Sequence, residues 1–452
     1  MKHLTVREAV AACGGRYFGS EEGLSREITT ASSDSRVINA GTLFVAYKGA
    51  RVDGHNFMAD CLKKGAAVCL SEREPADESE TPCIVVDSTL RGVAAIAGAY
   101  RANFDVPVVG ITGSVGKTTA KEMIWAVLNR RFKTHKNRMN FNNEVSLPLM
   151  MLQMSEDAQA AVMEMGISDF GEMTRLAKMV RPNLVVFTNI GDAHLEFLHD
   201  HAGVLKAKTE VFGYMSGEGL AILNGDDETL KTYACPVKKI TFGMGDGNDF
   251  TASDVENLGG DGMRMTIRHH GASFRAHVPA FGAHMVYAAL MGAAVGWALG
   301  LSDAEIAEGI AAYETVGNRA KLIEANGYTI LSDCYNANPN STASAIDSLC
   351  TLPGRRVCVL GDMLELGPQT RELHFKTGAY AAKKGVDLVI GCGDLSRSTY
   401  EGAKSGGCEA MHFANKAAVM EQIKSIIRPG DSVLVKASHS LAFEDVVDLL
   451  EK

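Results

Sequence analysis

Gly113-Ser-Val-Gly-Lys-Thr118 carries, in order, the residue types that would hold the phosphates of a nucleotide. Two glycines let an anion approach the backbone, the free N–H groups of a helix start point into the turn, and a lysine adds positive charge. Gly113, Ser114, Val115, Gly116, Lys117, Thr118 and Thr119 are therefore the candidate nucleotide contacts, with the Thr118 hydroxyl a ligand for Mg²⁺. The usual P-loop pattern places a glycine at position 111, where this chain has Ile111; its glycines stand at 110 and 113 instead. The bland alternative is a strand-to-helix turn with an exposed lysine. Against it, strand, turn and helix come here in the order the motif requires.

Those residues need a strand before them and a helix behind them. Val106 to Thr112 reads as a short buried strand, and Ala120, Met123, Ile124, Val127 and Leu128 recur at helical spacing after the turn. Ala160 to Gly166 and Asn183 to Gly191 read as further buried strands separated by a helix, which is βαβ order and implies a mostly parallel sheet. Ligands of such sheets lie at the carboxyl ends of the strands. Glu164 stands at one such end, where a carboxylate beside the phosphate loop would reach Mg²⁺, and the loop after the second strand presents Asp192, His194 and Glu196, with Lys208 about one helix later. On the residue pattern alone Lys208 reads as a surface lysine bridged to Glu210 or Asp192, although Val204, Leu205, Val211 and Phe212 give its helix one apolar face. Between helix and strand, Asn137-Arg-Met-Asn-Phe-Asn-Asn-Glu-Val-Ser-Leu-Pro148 gathers four asparagines; Asn140, Asn142 and Asn143 are either turn chemistry or contacts that orient a polar substrate.

At 452 residues the chain is expected to form two or three domains. A hydrophobic fraction of 46% with 22% charged residues is that of a soluble globular protein, and a net charge of −9 argues against nucleic acid bound over a broad surface. Ten cysteines stand singly, with no C-x-x-C pair or zinc-type spacing, as thiols in a reducing cytosol would; the N-terminus has no signal-peptide core, so the cytoplasm is expected. The uncharged stretch from Met285 to Leu301 falls short of a membrane span and, being rich in alanine and glycine, is expected as a buried helix. Before the phosphate loop, Ser33-Asp-Ser-Arg36 and Gly41 to Gly49 combine a polar turn with an apolar strand. Ser35, Arg36 and Lys48 are there either turn residues or, gathered at strand ends, the holders of a phosphorylated ligand. From about 316 the βαβ rhythm restarts without a phosphate loop, as a doubly wound domain whose polar turn Asp333-Cys-Tyr-Asn-Ala-Asn-Pro-Asn-Ser341 is able to face a nucleotide across a cleft.

Taken as a set, the loop Thr112 to Thr119, Asn142-Asn-Glu-Val-Ser-Leu-Pro148, Glu164-Met-Gly166, Thr188-Asn-Ile-Gly-Asp-Ala-His194, Lys206-Ala-Lys208 and Asn224-Gly-Asp-Asp227 resemble the Mur ligases over essentially the whole chain. Asp333-Cys-Tyr-Asn-Ala-Asn-Pro339 and Leu360-Gly-Asp-Met-Leu-Glu-Leu-Gly367 are similar to the branch that adds D-alanyl-D-alanine to UDP-N-acetylmuramoyl-tripeptide, and the Asp-Asn-Pro-Arg motif of the branch adding the third amino acid is missing. The resemblance implies an α/β protein of three domains: a mixed α/β UDP-substrate domain (1–105), a central P-loop ATPase domain with a mostly parallel sheet (106–315), and a C-terminal Rossmann-like domain (316–452) that receives the dipeptide. It implies ATP and Mg²⁺, with Lys117, Lys208, His194 and Arg319 catalytic and with Thr118, Glu164, His194 and a carbamylated Lys208 at the metal sites. Asn224, Asp333 and Asn336 become adenine or ribose contacts, Arg319 a phosphate contact, and Ser35, Arg36, Lys48, Asn140, Asn142, Asn143 and Asn338 substrate contacts. Where the branch carries Lys-Gly-Ser-Arg near its C-terminus, this chain has Ala437 and His439 in place of the glycine and the arginine. A cytoplasmic monomer bound to neither nucleic acid nor membrane is expected. The competing readings are another ligase of this architecture, such as a folylpolyglutamate synthetase, and a P-loop nucleotide switch without an amino acceptor.

Overall fold

The computed structural model describes residues 4–50, 52–317 and 320–452. Among them the strands form three sheets, each flanked by helices. The first runs in the order Arg16–Phe18, Cys83–Val85, Val68–Ser71, Thr42–Val45, Thr30–Ser32, antiparallel at its first pairing and parallel elsewhere. The second, of nine strands, begins at the edge strand Thr134–Lys136 and passes through Ala160–Glu164, Val108–Thr112, Leu184–Phe187, Leu220–Asn224 and Lys238–Gly243 to Phe250–Asn257, all parallel; Met263–His269 and Ala272–Val278 then add an antiparallel hairpin. The third runs Lys321–Ala325, Tyr328–Ser332, Ser432–Lys436, Arg356–Gly361, Leu388–Cys392, Glu409–Phe413, and is parallel after its opening hairpin.

The central strands are buried along their whole length, as continuous apolar runs covered by helices on both faces must be. Gly110 lies inside one of them. A Cβ there would stand 2.6 Å from Met165 Cε and 3.2 Å from Pro182 Cβ, so the glycine outside the phosphate loop leaves room for the Met165 and Pro182 side chains against the strand, and Ile111 fills the core beside it.

The uncharged stretch forms the helix His284–Ala298, which shares a core with the phosphate-loop helix through Met123, Val127, Ala289 and Ala293. Among the described residues no helix is long and apolar enough to cross a membrane. All ten cysteines are free thiols. The helix Thr89–Arg101 joins the first sheet to the second: Tyr100 donates to the Met154 carbonyl at 2.6 Å and Arg101 reaches the carbonyls of Val180 and Phe104, in one continuous core.

Candidate active site

The phosphate loop leaves the strand Val108–Thr112 and enters the helix Lys117–Leu128, whose N-cap Gly116 has φ 82° and brings no capping side chain. The first helical N–H groups are therefore left to a ligand. Gly113, at φ 144°, has no room for a side chain: a Cβ would lie 1.9 Å from Thr188 Oγ1. The loop after the strand Leu184–Phe187 clamps the phosphate loop from outside. Asn189 accepts from Val115 N at 3.0 Å and from Ser114 N through its carbonyl, Thr188 Oγ1 donates to the Val115 carbonyl at 2.6 Å, and the Ser114 hydroxyl is tied to Gly191 N and O. Lys117 lies over this frame, donating to the carbonyls of Gly113 (2.7 Å) and Ser114 (3.2 Å). Gly113→Ala is expected to push the loop off Thr188, at a cost of about 1–3 kcal/mol, which calorimetry should read as a lower melting temperature and at least about tenfold weaker ADP binding.

Thr118 and Glu164 meet as their positions in the sequence imply. Thr118 Oγ1 donates to Glu164 Oε2 at 2.9 Å, while Asn142 donates to Oε1 at 2.7 Å and so orients the carboxylate. A hydroxyl and an oriented carboxylate, completed by phosphate oxygens, are a donor set that suits Mg²⁺. Among the described residues no three His, Cys, Asp or Glu side chains gather as a ready metal cluster.

Behind Glu164 stands Lys121, a buried ion that helical periodicity alone places on a solvated face. Its Nζ donates to the Met139 carbonyl at 2.6 Å and lies 3.5 Å from Glu164 Oε2 and 3.4 Å from Glu122 Oε1. Glu122 in turn pairs with Lys136, whose ammonium rests 3.5 Å from the centroid of the Trp125 ring.

Lys208, on the helix His201–Thr209, is 1% exposed. It is not the bridged surface lysine that the pattern alone suggested: Glu210 accepts from Gly171 and Thr174, and Asp192 pairs with His201. Burial, and then the charge of Lys117, hold its amine well below the ordinary lysine value. An amine does not suit Mg²⁺; a carbamate on the same nitrogen would. His194 begins the short helix Leu195–Leu198 and stands beside Glu365 of the third unit.

Other expected contacts are scattered or already engaged. Asn224 donates to the Thr188 carbonyl at 2.9 Å and so buttresses the clamp. Asn143 accepts from the N–H groups of Val145 and Ser146, Asn140 is exposed, and Asn338 caps the helix Pro339–Leu349 by accepting from Ser341 N. Asp333 pairs with Lys436, which also donates to the Asn336 carbonyl at 2.8 Å, while the Asn336 side chain accepts from Ala337 N. In the first unit Arg36 is exposed and forked onto Asp34, the Ser35 carbonyl accepts from Lys64, and Lys48 pairs with Asp53 through a backbone bridge. Tyr47 OH donates to the Val145 carbonyl at 3.0 Å, joining that unit to the asparagine loop. At the C-terminal segment the His439 ring lies 5.2 Å from that of Tyr335. Arg319 lies outside the described residues.

Between the second and third units, Asp192 N donates to Asn340 Oδ1 at 2.9 Å. Neither Lys121 nor Asn340 is signalled by the sequence.

Three family models match the chain in succession: Mur ligase family, catalytic domain over residues 27–108; Mur ligase middle domain over 111–296; and Mur ligase, glutamate ligase domain over 318–439. The chain is 35% identical over 428 residues to the UDP-N-acetylmuramoyl-tripeptide–D-alanyl-D-alanine ligase of Bacillus subtilis (strain 168), covering 93% of each. Among solved structures it is similar to MurF from Acinetobacter baumannii (29% identity, TM-score 0.92, 100% of both chains). It is also similar to the MurF ligase from Thermotoga maritima in complex with ADP (26% identity, TM-score 0.83, 94% of this chain and 97% of that one).

Proposed function

From the premise that the chain belongs to the Mur ligase family, we propose that it is the ATP-dependent ligase joining D-alanyl-D-alanine to UDP-N-acetylmuramoyl-tripeptide in peptidoglycan precursor synthesis. The observation that carries this reading beyond family likeness is the oriented Thr118–Glu164 pair beside a clamped phosphate loop and Lys117. A peptide carboxylate is a poor electrophile. Its oxygen takes the γ-phosphoryl group of ATP as ADP leaves; the dipeptide amine then attacks the acyl carbon, phosphate departs with the C–O bond electrons, and the amine proton passes to solvent.

Little covalent work falls to the protein, which positions the reactants and offsets charge. Lys117 and the N–H groups at the start of its helix hold the phosphates, Ser114 and Val115 are kept in place by Asn189 and Gly191, and Asn142 aims Glu164. Mg²⁺, held by Thr118 and Glu164 and at a second position by His194 and carbamylated Lys208, would neutralise the phosphoryl oxygens. Asn224, Asp333 and Asn336 are assigned to the adenosine, Arg319 to phosphate, and Ser35, Arg36, Lys48, Asn140, Asn143 and Asn338 to the acceptor substrates. On this assignment residues 1–105, 106–315 and 316–452 work as UDP-substrate, ATPase and dipeptide domains of a cytoplasmic monomer. The ten free thiols fit that compartment.

Phosphate release from ATP is the test. It should require both UDP-N-acetylmuramoyl-tripeptide and D-alanyl-D-alanine, and steady hydrolysis with neither acceptor present would instead favour a nucleotide switch.

A further inference from the structure

His194, in the loop after Leu184–Phe187 of the second sheet, and Glu365, in the loop after Arg356–Gly361 of the third, meet at 2.8 Å, Nδ1 to Oε2, off the line of an ideal hydrogen bond. Nδ1 is buried, and the Glu365 carboxylate lies within ion-pair distance of it. Both residues are non-glycine and both have positive φ, 55° at His194 and 61° at Glu365, a conformation that persists only where the surroundings enforce it. The surroundings here are apolar: Leu195 next to the histidine and Met363 and Leu366 around the glutamate are buried in one shared core. Packing thus holds two strained backbones so that one carboxylate faces one ring nitrogen. Apart from this contact Glu365 is half exposed.

We propose that Glu365 is a positioning residue for His194: its carboxylate accepts from Nδ1–H and fixes the tautomer whose Nε2 lone pair is open to a divalent cation. The inference rests on the reading of His194 as a metal ligand. Imidazoles that bind metals commonly donate their other N–H to a carboxylate, which fixes the ring and raises its basicity. Here that carboxylate is supplied by the C-terminal unit, so seating that unit on the central one completes the histidine's surroundings.

The test is Mn²⁺ binding to the full chain with a non-hydrolysable ATP analogue, followed by electron paramagnetic resonance. Glu365→Gly removes the carboxylate and relieves the positive φ, so a loss of metal affinity cannot be laid to failed folding. It should weaken one Mn²⁺ site about 10- to 100-fold without lowering the melting temperature, and Glu365→Gln, whose amide oxygen still accepts, should lose less. The double variant with His194→Ala should bind no more weakly than His194→Ala alone. Wild-type Mn²⁺ affinity in Glu365→Gly, or additive losses in the double variant, with His194→Ala impaired, overturns the role of Glu365 and leaves the metal reading standing. Wild-type affinity in His194→Ala removes the metal reading itself, and this inference with it.

Discussion

Lys117→Ala is expected to abolish acyl-phosphate formation, with kcat lower by on the order of 10³-fold, while binding of the UDP-substrate stays largely intact. Lys117 lies at the first turn of its helix with its ammonium held over the loop by the Gly113 and Ser114 carbonyls, where the terminal phosphates of ATP would displace or join those contacts. A cation in that place stabilises charge that grows on the phosphoryl oxygens as the bond to ADP breaks, and about 4 kcal/mol of barrier corresponds to the expected factor. The residues assigned to the UDP-substrate in the first unit, Ser35, Arg36 and Lys48, have partners of their own there. Trapping the acyl phosphate with hydroxylamine, alongside equilibrium binding of the UDP-substrate, separates the two effects. Turnover near the wild-type rate would sink the assignment.

The second large effect is expected at Lys208. An ammonium group in this position would be stripped of water and face the charge of Lys117, and both effects favour the neutral, nucleophilic amine. Addition of the amine nitrogen to CO₂ would form a carbamate with loss of one proton, and would turn a repulsive neighbour of Lys117 into an anion with two oxygens for a hard cation. Lys208→Ala should lower kcat by about 10²–10³-fold and regain part of it with formate or acetate, which are small enough to occupy the vacated volume and carry the missing charge. Carbon-13 NMR of enzyme equilibrated with labelled bicarbonate should show one carbamate signal, lost in the variant. Full activity in the alanine variant, or an unmodified amine in an active enzyme with bicarbonate present, would end the idea.

What was legible in the sequence and what was not divides along physical lines. The strand, turn and helix around Lys117 were readable because a fully buried parallel strand is an unbroken apolar run and its helix repeats at 3.6 residues. Glu164 was readable as the polar residue at the end of such a run. The strands Arg16–Phe18 and Thr134–Lys136 were not, since three mixed residues at a sheet edge carry no period. Lys121 and Glu122 look like a solvated helix face and are in fact buried, because each ion's partner comes from a different segment: the Met139 carbonyl, Lys136 and Glu164. Asn338, a substrate contact on the resemblance, caps the helix Pro339–Leu349, a role that an asparagine before Pro339 also signals in the sequence. The meeting of His194 with Glu365, and of Asp192 with Asn340, depends on how two sheets far apart in the chain dock, which no local pattern encodes.

The buried group behind the phosphate loop has a consequence for turnover. Two ammonium ions, Lys121 and Lys136, face two carboxylates, Glu122 and Glu164, so Glu164 has a standby counter-ion even with no cation in front of it. A buried carboxylate stripped of its only positive neighbour would cost several kcal/mol and would pull the empty protein toward unfolding. With Lys121 in reserve, a magnesium ion held at Glu164 would be free to arrive with each nucleotide and leave with each product, and the empty site between two rounds would keep the shape that the next substrate needs.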